Sequence, residues 1–252
     1  TRVVGPHAVD LSFPAEAVVE AVSQATVAAQ MPGRIVEVRV EVGQRVKKGE
    51  VLMRIDAREA AEAVAGASAQ LANAKAHYER LQNLHKQKFV SQAALDKAKA
   101  DFVAAQSASG QASVGLGHAS VTAPISGIVA QRLSELGEMA VPGRPLFTLY
   151  DPGSLRVTAS IPQYKLPQLR GAKRARVEFP ESGKWLEAAA VQILPTADAS
   201  THVSQARALL PAESLDASLG IVPGMFARVH FIIGQTTRMT VPASAVLRRG
   251  EV

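Results

Sequence analysis

One small motif occurs twice in this chain, ninety-four residues apart. The first copy is QMPGRIVEVRVEVGQRVKKGEVLM, from Gln30, and the second is TAPISGIVAQRLSELGEMAVPGRPLF, from Thr122. Gly33, Gly43 and Gly49 fall opposite Gly127, Gly137 and Gly143. Ile35, Val42, Leu52 and Ile55 fall opposite Val129, Leu136, Leu146 and Leu149. In the first copy Val36, Val38, Val40 and Val42 alternate with Glu37, Arg39 and Glu41, the period of a half-buried strand. Turns at Gly43-Gln44 and Lys48-Gly49 follow, and Val51, Met53 and Ile55 resume the alternation. A β unit this small has too little core to stand alone. Two copies therefore predict two halves packed about a pseudo-dyad as a flattened sandwich.

The stretch between the copies has a different character. From Ala57 it is rich in Ala, Gln, Glu and Lys. Ala60, Val64, Ala67, Leu71, Ala74, Tyr78 and Leu81 recur at spacings of four and three, a heptad seam. After Phe89-Val90-Ser91 a second seam runs through Leu95, Ala98, Phe102, Ala105, Ser109 and Ala112. Two helices joined by a short turn are predicted, forming an antiparallel coiled-coil hairpin over residues 57–121. Glu62, Lys75, Glu79, Lys86, Lys97 and Asp101 lie off the seams and read as solvated faces. Gly66 and Gly110 sit inside the helices at a cost of about 1 kcal/mol each relative to Ala and read as close-packing or fraying sites.

Beyond Tyr150 short alternating segments return. Leu155, Val157, Ala159 and Ile161 form one, and Ala175, Val177 and Phe179 another, with frequent Pro and Gly between segments. This pattern predicts a small β-barrel over residues 10–30 and 151–238. Residues 239–252 read as strand, turn and then the start of something cut short.

Several chemistries are excluded. The chain lacks cysteine, so disulfides and thiolate metal sites are out. Six histidines and five methionines are scattered, and His77 and His85 stand about 80° apart on a helix at ~100° per residue, so no metal site is expected. No phosphate-binding loop or Gly-x-Ser-x-Gly elbow occurs. Asp198, Ser200, His202 and Ser204 read as a polar loop, so neither a cofactor nor an enzyme is expected. A net charge of +6 admits nucleic acid, but 4% aromatics argue against a stacking platform. No apolar run reaches the ~18–20 residues of a membrane span.

A split β unit with a helical hairpin spliced into its middle resembles the periplasmic adaptor subunits of tripartite efflux pumps. These are the membrane fusion proteins of the HlyD/RND-associated family. The resemblance is carried by MPGRIVEVRVEVGQRVKKGEVLMRID (31–56), VTAPISGIVAQRLSELGEMAVPGRPLFTL (121–149), LRVTASIPQ (155–163) and VPGMFARVHF (222–231), in that order. VPASAVLRRG (241–250) is similar to the family's return strand, which implies that residues 239–252 are the start of a truncated membrane-proximal domain. The β unit, 31–56 with 122–150, also resembles a lipoyl/biotinyl carrier domain. That domain carries its modified lysine in a Met-Lys-Met hairpin, whereas here about sixty residues of helix stand in that place and no Met-Lys-Met occurs. A biotin or lipoate carrier is thereby the remote alternative.

The resemblance implies a mainly β, elongated modular protein: α-hairpin, split lipoyl-like sandwich, small barrel. It implies a bridge between an inner-membrane transporter of the RND type and a TolC-type outer-membrane channel, with copies joined in a ring, by analogy a hexamer. An ABC-type exporter is the alternative engine. It further implies a place in the periplasm of a Gram-negative bacterium, anchored to the inner membrane by a lipid or N-terminal segment outside this chain. The family's docking signature, Arg-x3-Leu-x6-Ser, is matched by Arg80, Leu84 and Ser91. These residues are thereby implied to engage the channel, although Ser91 equally suits a helix N-cap and Leu84 could extend the seam beyond Leu81.

Overall fold

The structure, a computed structural model, describes residues 6–211 and 220–239. The chain divides into two compact units, one spanning Gln24–Tyr150 and the other built from the segments flanking it. The expected start of a further domain after Met239 lies outside the described residues.

The central unit contains strands β2 (Gln24–Ala28), β3 (Gly33–Val38), β4 (Arg45–Val46), β5 (Val51–Ile55), β6 (Ser120–Thr122), β7 (Gly127–Arg132), β8 (Met139–Ala140) and β9 (Pro145–Tyr150). They form two four-stranded sheets, ordered β2-β9-β7-β4 and β6-β5-β3-β8. The halves exchange strands: β4 of the first pairs with β7, and β8 of the second pairs with β3. The exchange is symmetric to the individual hydrogen bond. Gly43 N–H donates to Val129 O at 2.8 Å and Gly137 N–H to Ile35 O at 2.9 Å. Gly49 N–H donates to Ala123 O at 2.8 Å and Gly143 N–H to Ala29 O at 2.9 Å. These four glycines sit at φ of +85° to +88°, a left-handed region that side chains with a Cβ seldom adopt.

The dyad extends further than the motif. Strand β2 is the counterpart of β6 and pairs with β9. Residues 24–28 thus belong to the sandwich, not to the barrel in which 10–30 was placed. Their alternation alone could not say which sheet would accept them.

The sandwich core is also paired by the dyad: Ile35 with Val129, Leu52 with Leu146, Met53 with Phe147 and Ile55 with Leu149, all buried. The valine alternation does not mark one buried face. A register shift between Ile35 and Glu37 buries Ile35 and leaves Val36 51% exposed. Val40 is buried, while Val42 lies 57% exposed at the turn. Gly33 is required for close approach: a Cβ there would stand 2.6 Å from Ile55 Cγ2 and 3.3 Å from Asp56 O.

Between β5 and β6 stand two long helices, α1 (Arg58–Lys86) and α2 (Gln92–Gly117). At about 1.5 Å per residue, the 29 residues of α1 span about 43 Å. The helices pack on each other along the seams read from the sequence. Ala60, Val64, Ala67, Leu71, Ala74, Tyr78 and Leu81 are half-buried, and the Tyr78 and Phe102 rings stack at 5.8 Å. A two-helix hairpin buries little: no α1 residue is fully buried, and only Ala98 is in α2. Gly66 and Gly110 are not close-packing sites, because a Cβ at either would meet nothing within 4 Å.

The second unit contains β1 (Pro6–Ala21), β10 (Leu155–Pro162), α3 (Leu166–Leu169), β11 (Arg174–Phe179), β12 (Lys184–Glu187), β13 (Ala190–Ala197), β14 (Val203–Leu209) and β15 (Phe226–Met239). Its sheet runs β12-β11-β15-β1-β10-β14-β13. Strand β12 continues into β13 through Ala188 and Ala189. Ala188 N–H donates to Ala175 O of β11 at 2.9 Å, and Ala189 N–H to Leu209 O of β14 at 2.8 Å. One chain segment thereby joins both edges of the sheet and closes it as a barrel. Val19, Val157, Ile161, Val177, Phe179, Val229 and Phe231 fill the interior. The turn at α3 plants buried Leu169 and Ala172 in the same core.

Candidate functional site

The hairpin tip gathers the three residues singled out by spacing. Helix α1 ends in a Schellman motif. Phe89 N–H donates to Leu84 O at 2.9 Å and Lys88 N–H to His85 O at 2.8 Å. Lys88 takes the left-handed position at φ +63°, where glycine is usual. Two residues on, Ser91 adopts an extended backbone, and its Oγ accepts from Ala94 N–H at 3.2 Å as the N-cap of α2. The capping role of Ser91 is therefore present. Arg80 is exposed on α1, one turn before Leu84. Leu84 is half-buried near the end of α1.

The tip is strongly one-signed. Residues 80–95 hold Arg80, Lys86 and Lys88 and no Asp or Glu. Among the described residues none of these three cations takes part in an ion pair, whereas Lys75–Glu79 and Lys97–Asp101 pair further down the hairpin. Sequence reasoning passed over Phe89, which is 74% exposed. It follows the end of α1, where no helical period applies, and a large aromatic in the turn between two helices is the signal that could have found it.

Other polar groupings serve structure. At the hairpin base a cleft of about 620 Å³ is lined by Gly33, Arg34, Asp56, Arg58 and Glu59. Arg58 lies across Asp56 at 2.6 Å, and its hydrogen bonds hold that carboxyl below the usual aspartate range. On the barrel wall Glu178 links Arg228 at 3.3 Å and His230 at 3.0 Å, beside Trp185. In the 198–203 loop Asp198 Oδ1 accepts from Ser200 N–H and Oγ–H and from Thr201 N–H. It forms a turn, and these bonds lower its pKa to about 2. Among the described residues no three His, Cys, Asp or Glu side chains are grouped to hold a metal ion.

The description of the CzcB-like barrel-sandwich hybrid domain matches residues 23–151, and that of the CusB-like beta-barrel domain matches 155–235. The first covers the interlocked halves and their hairpin, and the second the closed barrel. This chain is a membrane fusion protein. Within that family it is 29% identical to the uncharacterised protein YdhJ of Escherichia coli, over 83% of this chain and 73% of YdhJ. It is 27% identical to the nickel and cobalt resistance protein CnrB of Cupriavidus metallidurans, over 89% of this chain and 59% of CnrB. The chain thus spans about three fifths of CnrB. A chimera of MacA carrying the Pseudomonas aeruginosa MexA α-hairpin shares the fold, with a TM-score of 0.82, 20% identity, and coverage of 99% of this chain and 93% of the chimera. The family's members are adaptors without enzymatic activity.

Proposed function

We propose that this membrane fusion protein is the periplasmic adaptor of a tripartite efflux pump. It bridges an inner-membrane transporter of the RND type and a TolC-type outer-membrane channel. Its hairpin winds as a coiled coil, and Arg80, Leu84 and Ser91 at the tip engage the channel. Copies assemble as a ring, and a lipid or N-terminal segment anchors each to the inner membrane. The observation that carries this reading is the placement of the Arg-x3-Leu-x6-Ser spacing. It falls at the turn of a hairpin held between two interlocked half-sandwiches, in a chain of this family. An exposed arginine can fork onto carboxylates or helix-end carbonyls, and a half-exposed leucine fits a groove between partner helices. Ser91 can cap α2 and still offer its hydroxyl proton outward, because the cap uses only an acceptor lone pair. The relation to a nickel and cobalt resistance protein supports a role in removing toxic small solutes.

The test is export in cells lacking the native gene. The double variant Arg80→Ala, Leu84→Ala should be as sensitive as the deletion strain to nickel, cobalt and a panel of dyes, with unchanged helix content and expression. Normal export by this variant would overturn the docking role. Co-purification of an ABC transporter in place of an RND transporter would reassign the engine and leave the adaptor role standing.

A further inference from the structure

We propose that Phe89 is the apolar anchor of the hairpin tip, seated on docking in a pocket between partner helices whose rim carries carboxylates. The inference rests on the adaptor reading and adds a residue outside the Arg-x3-Leu-x6-Ser signature. In a Schellman motif the residue after the left-handed position commonly lies against the one five before it, here Phe89 against Leu84. Yet Leu84 is only half-buried and Phe89 remains 74% exposed. The residue lies beyond the end of α1 at Lys86, in the turn, where neither helix covers it. Its backbone is nonetheless fixed by hydrogen bonds from Phe89 N–H to Leu84 O and from Lys88 N–H to His85 O. A single exposed apolar side chain on a mobile loop would mean little. A large ring held on a hydrogen-bonded turn is already placed for contact, so less ordering is needed on binding.

Charge identifies the partner surface. Arg80, Lys86 and Lys88, all exposed, share the tip segment with Phe89 and find no acidic partner among the described residues. A complementary surface offers Asp or Glu around an apolar hollow. Aromatic and arginine side chains dominate the energetics of such interfaces when a neighbouring ring of contacts excludes water.

The experiment places the photo-reactive residue p-benzoylphenylalanine at position 89, and separately at position 80. The complete gene product is used, in cells that also make their outer-membrane channels. Adducts are identified by mass spectrometry. Both positions should cross-link to the same outer-membrane channel. Phe89→Ala should reduce the residue-80 adduct by roughly tenfold or more, with helix content unchanged by circular dichroism, and Phe89→Leu should restore most of it. A channel adduct from position 80 with none from position 89, or a residue-80 adduct indifferent to Phe89→Ala, would overturn the role of Phe89 and leave channel docking in place. Absence of a channel adduct from both positions would overturn docking at the tip and this inference with it.

Discussion

Val40 and Ser134 occupy the same place in the two halves of the sandwich, and both are buried. The valine is at home there, whereas the serine hydroxyl has no hydrogen-bond partner. An unmade hydrogen bond in a core costs about 1–3 kcal/mol, so Ser134→Ala should raise stability by about 1 kcal/mol. Urea unfolding, with the m-value unchanged, would measure it. Asp198 is a residue whose charge matters locally. Its carboxyl titrates at about 2, against 3.8 for a free aspartate, because Ser200 and Thr201 hydrogen-bond to the ionised form. The sign follows from the depressed value. The turn's contribution is complete above pH 3.8 and is lost as pH falls through about 2. The amide resonances of Ser200 and Thr201 should shift with a midpoint near 2, and a midpoint near 4 would show that the turn does not hold in solution. The loop is exposed, so the effect on global stability is small.

At the scale of the element, the hairpin is the most legible part of the sequence. Heptad spacing reports only a one-dimensional period, and the positions it names in α1 and α2 are half-buried, or buried at Ala98. The roles of Gly66 and Gly110 were not legible, because spacing cannot say whether the far side of a helix touches anything. Both face open space. Gly66→Ala and Gly110→Ala should each stabilise the helices by about 1 kcal/mol, seen as slower amide exchange along α1 and α2. A loss of stability would mean that a neighbouring molecule packs against that face. The β segments were harder to read. Val36, Val38, Val40 and Val42 keep a period of two, but the shift after Ile35 turns Val36 outward. A bulge leaves no mark in a run of valines.

At the scale of the molecule, the exchange of β4 and β8 means that each half completes the other's sheet. Arg54 pairs with Ser120 across β5 and β6, so the two ends of the helical insertion meet as neighbours in a ladder. Replacing residues 57–117 by a two-residue Asn-Gly turn should therefore leave the Gln24–Tyr150 unit folded, with its core intact by NMR and with export abolished. Unfolding of that chain would show that the helices contribute to the sandwich beyond joining its strands. Within the same unit Gly33→Ala should cost roughly 1–3 kcal/mol by forcing a Cβ onto Ile55 and Asp56, measurable by thermal unfolding.

The sequence by itself determined the doubled β unit, the helical insertion and its seams, the barrel that follows, and the Arg80, Leu84 and Ser91 spacing. Each is a local period or a recurrence, and the chain carries those in its order of residues. Only the tertiary structure decided which strand joins which sheet. It moved residues 24–28 into the sandwich, exchanged β4 with β8, closed the barrel through Ala188 and Ala189, left Ser134 without a partner, and turned Phe89 outward at the tip. Those outcomes depend on hydrogen bonds and contacts between residues far apart in the chain, and no local pattern encodes them.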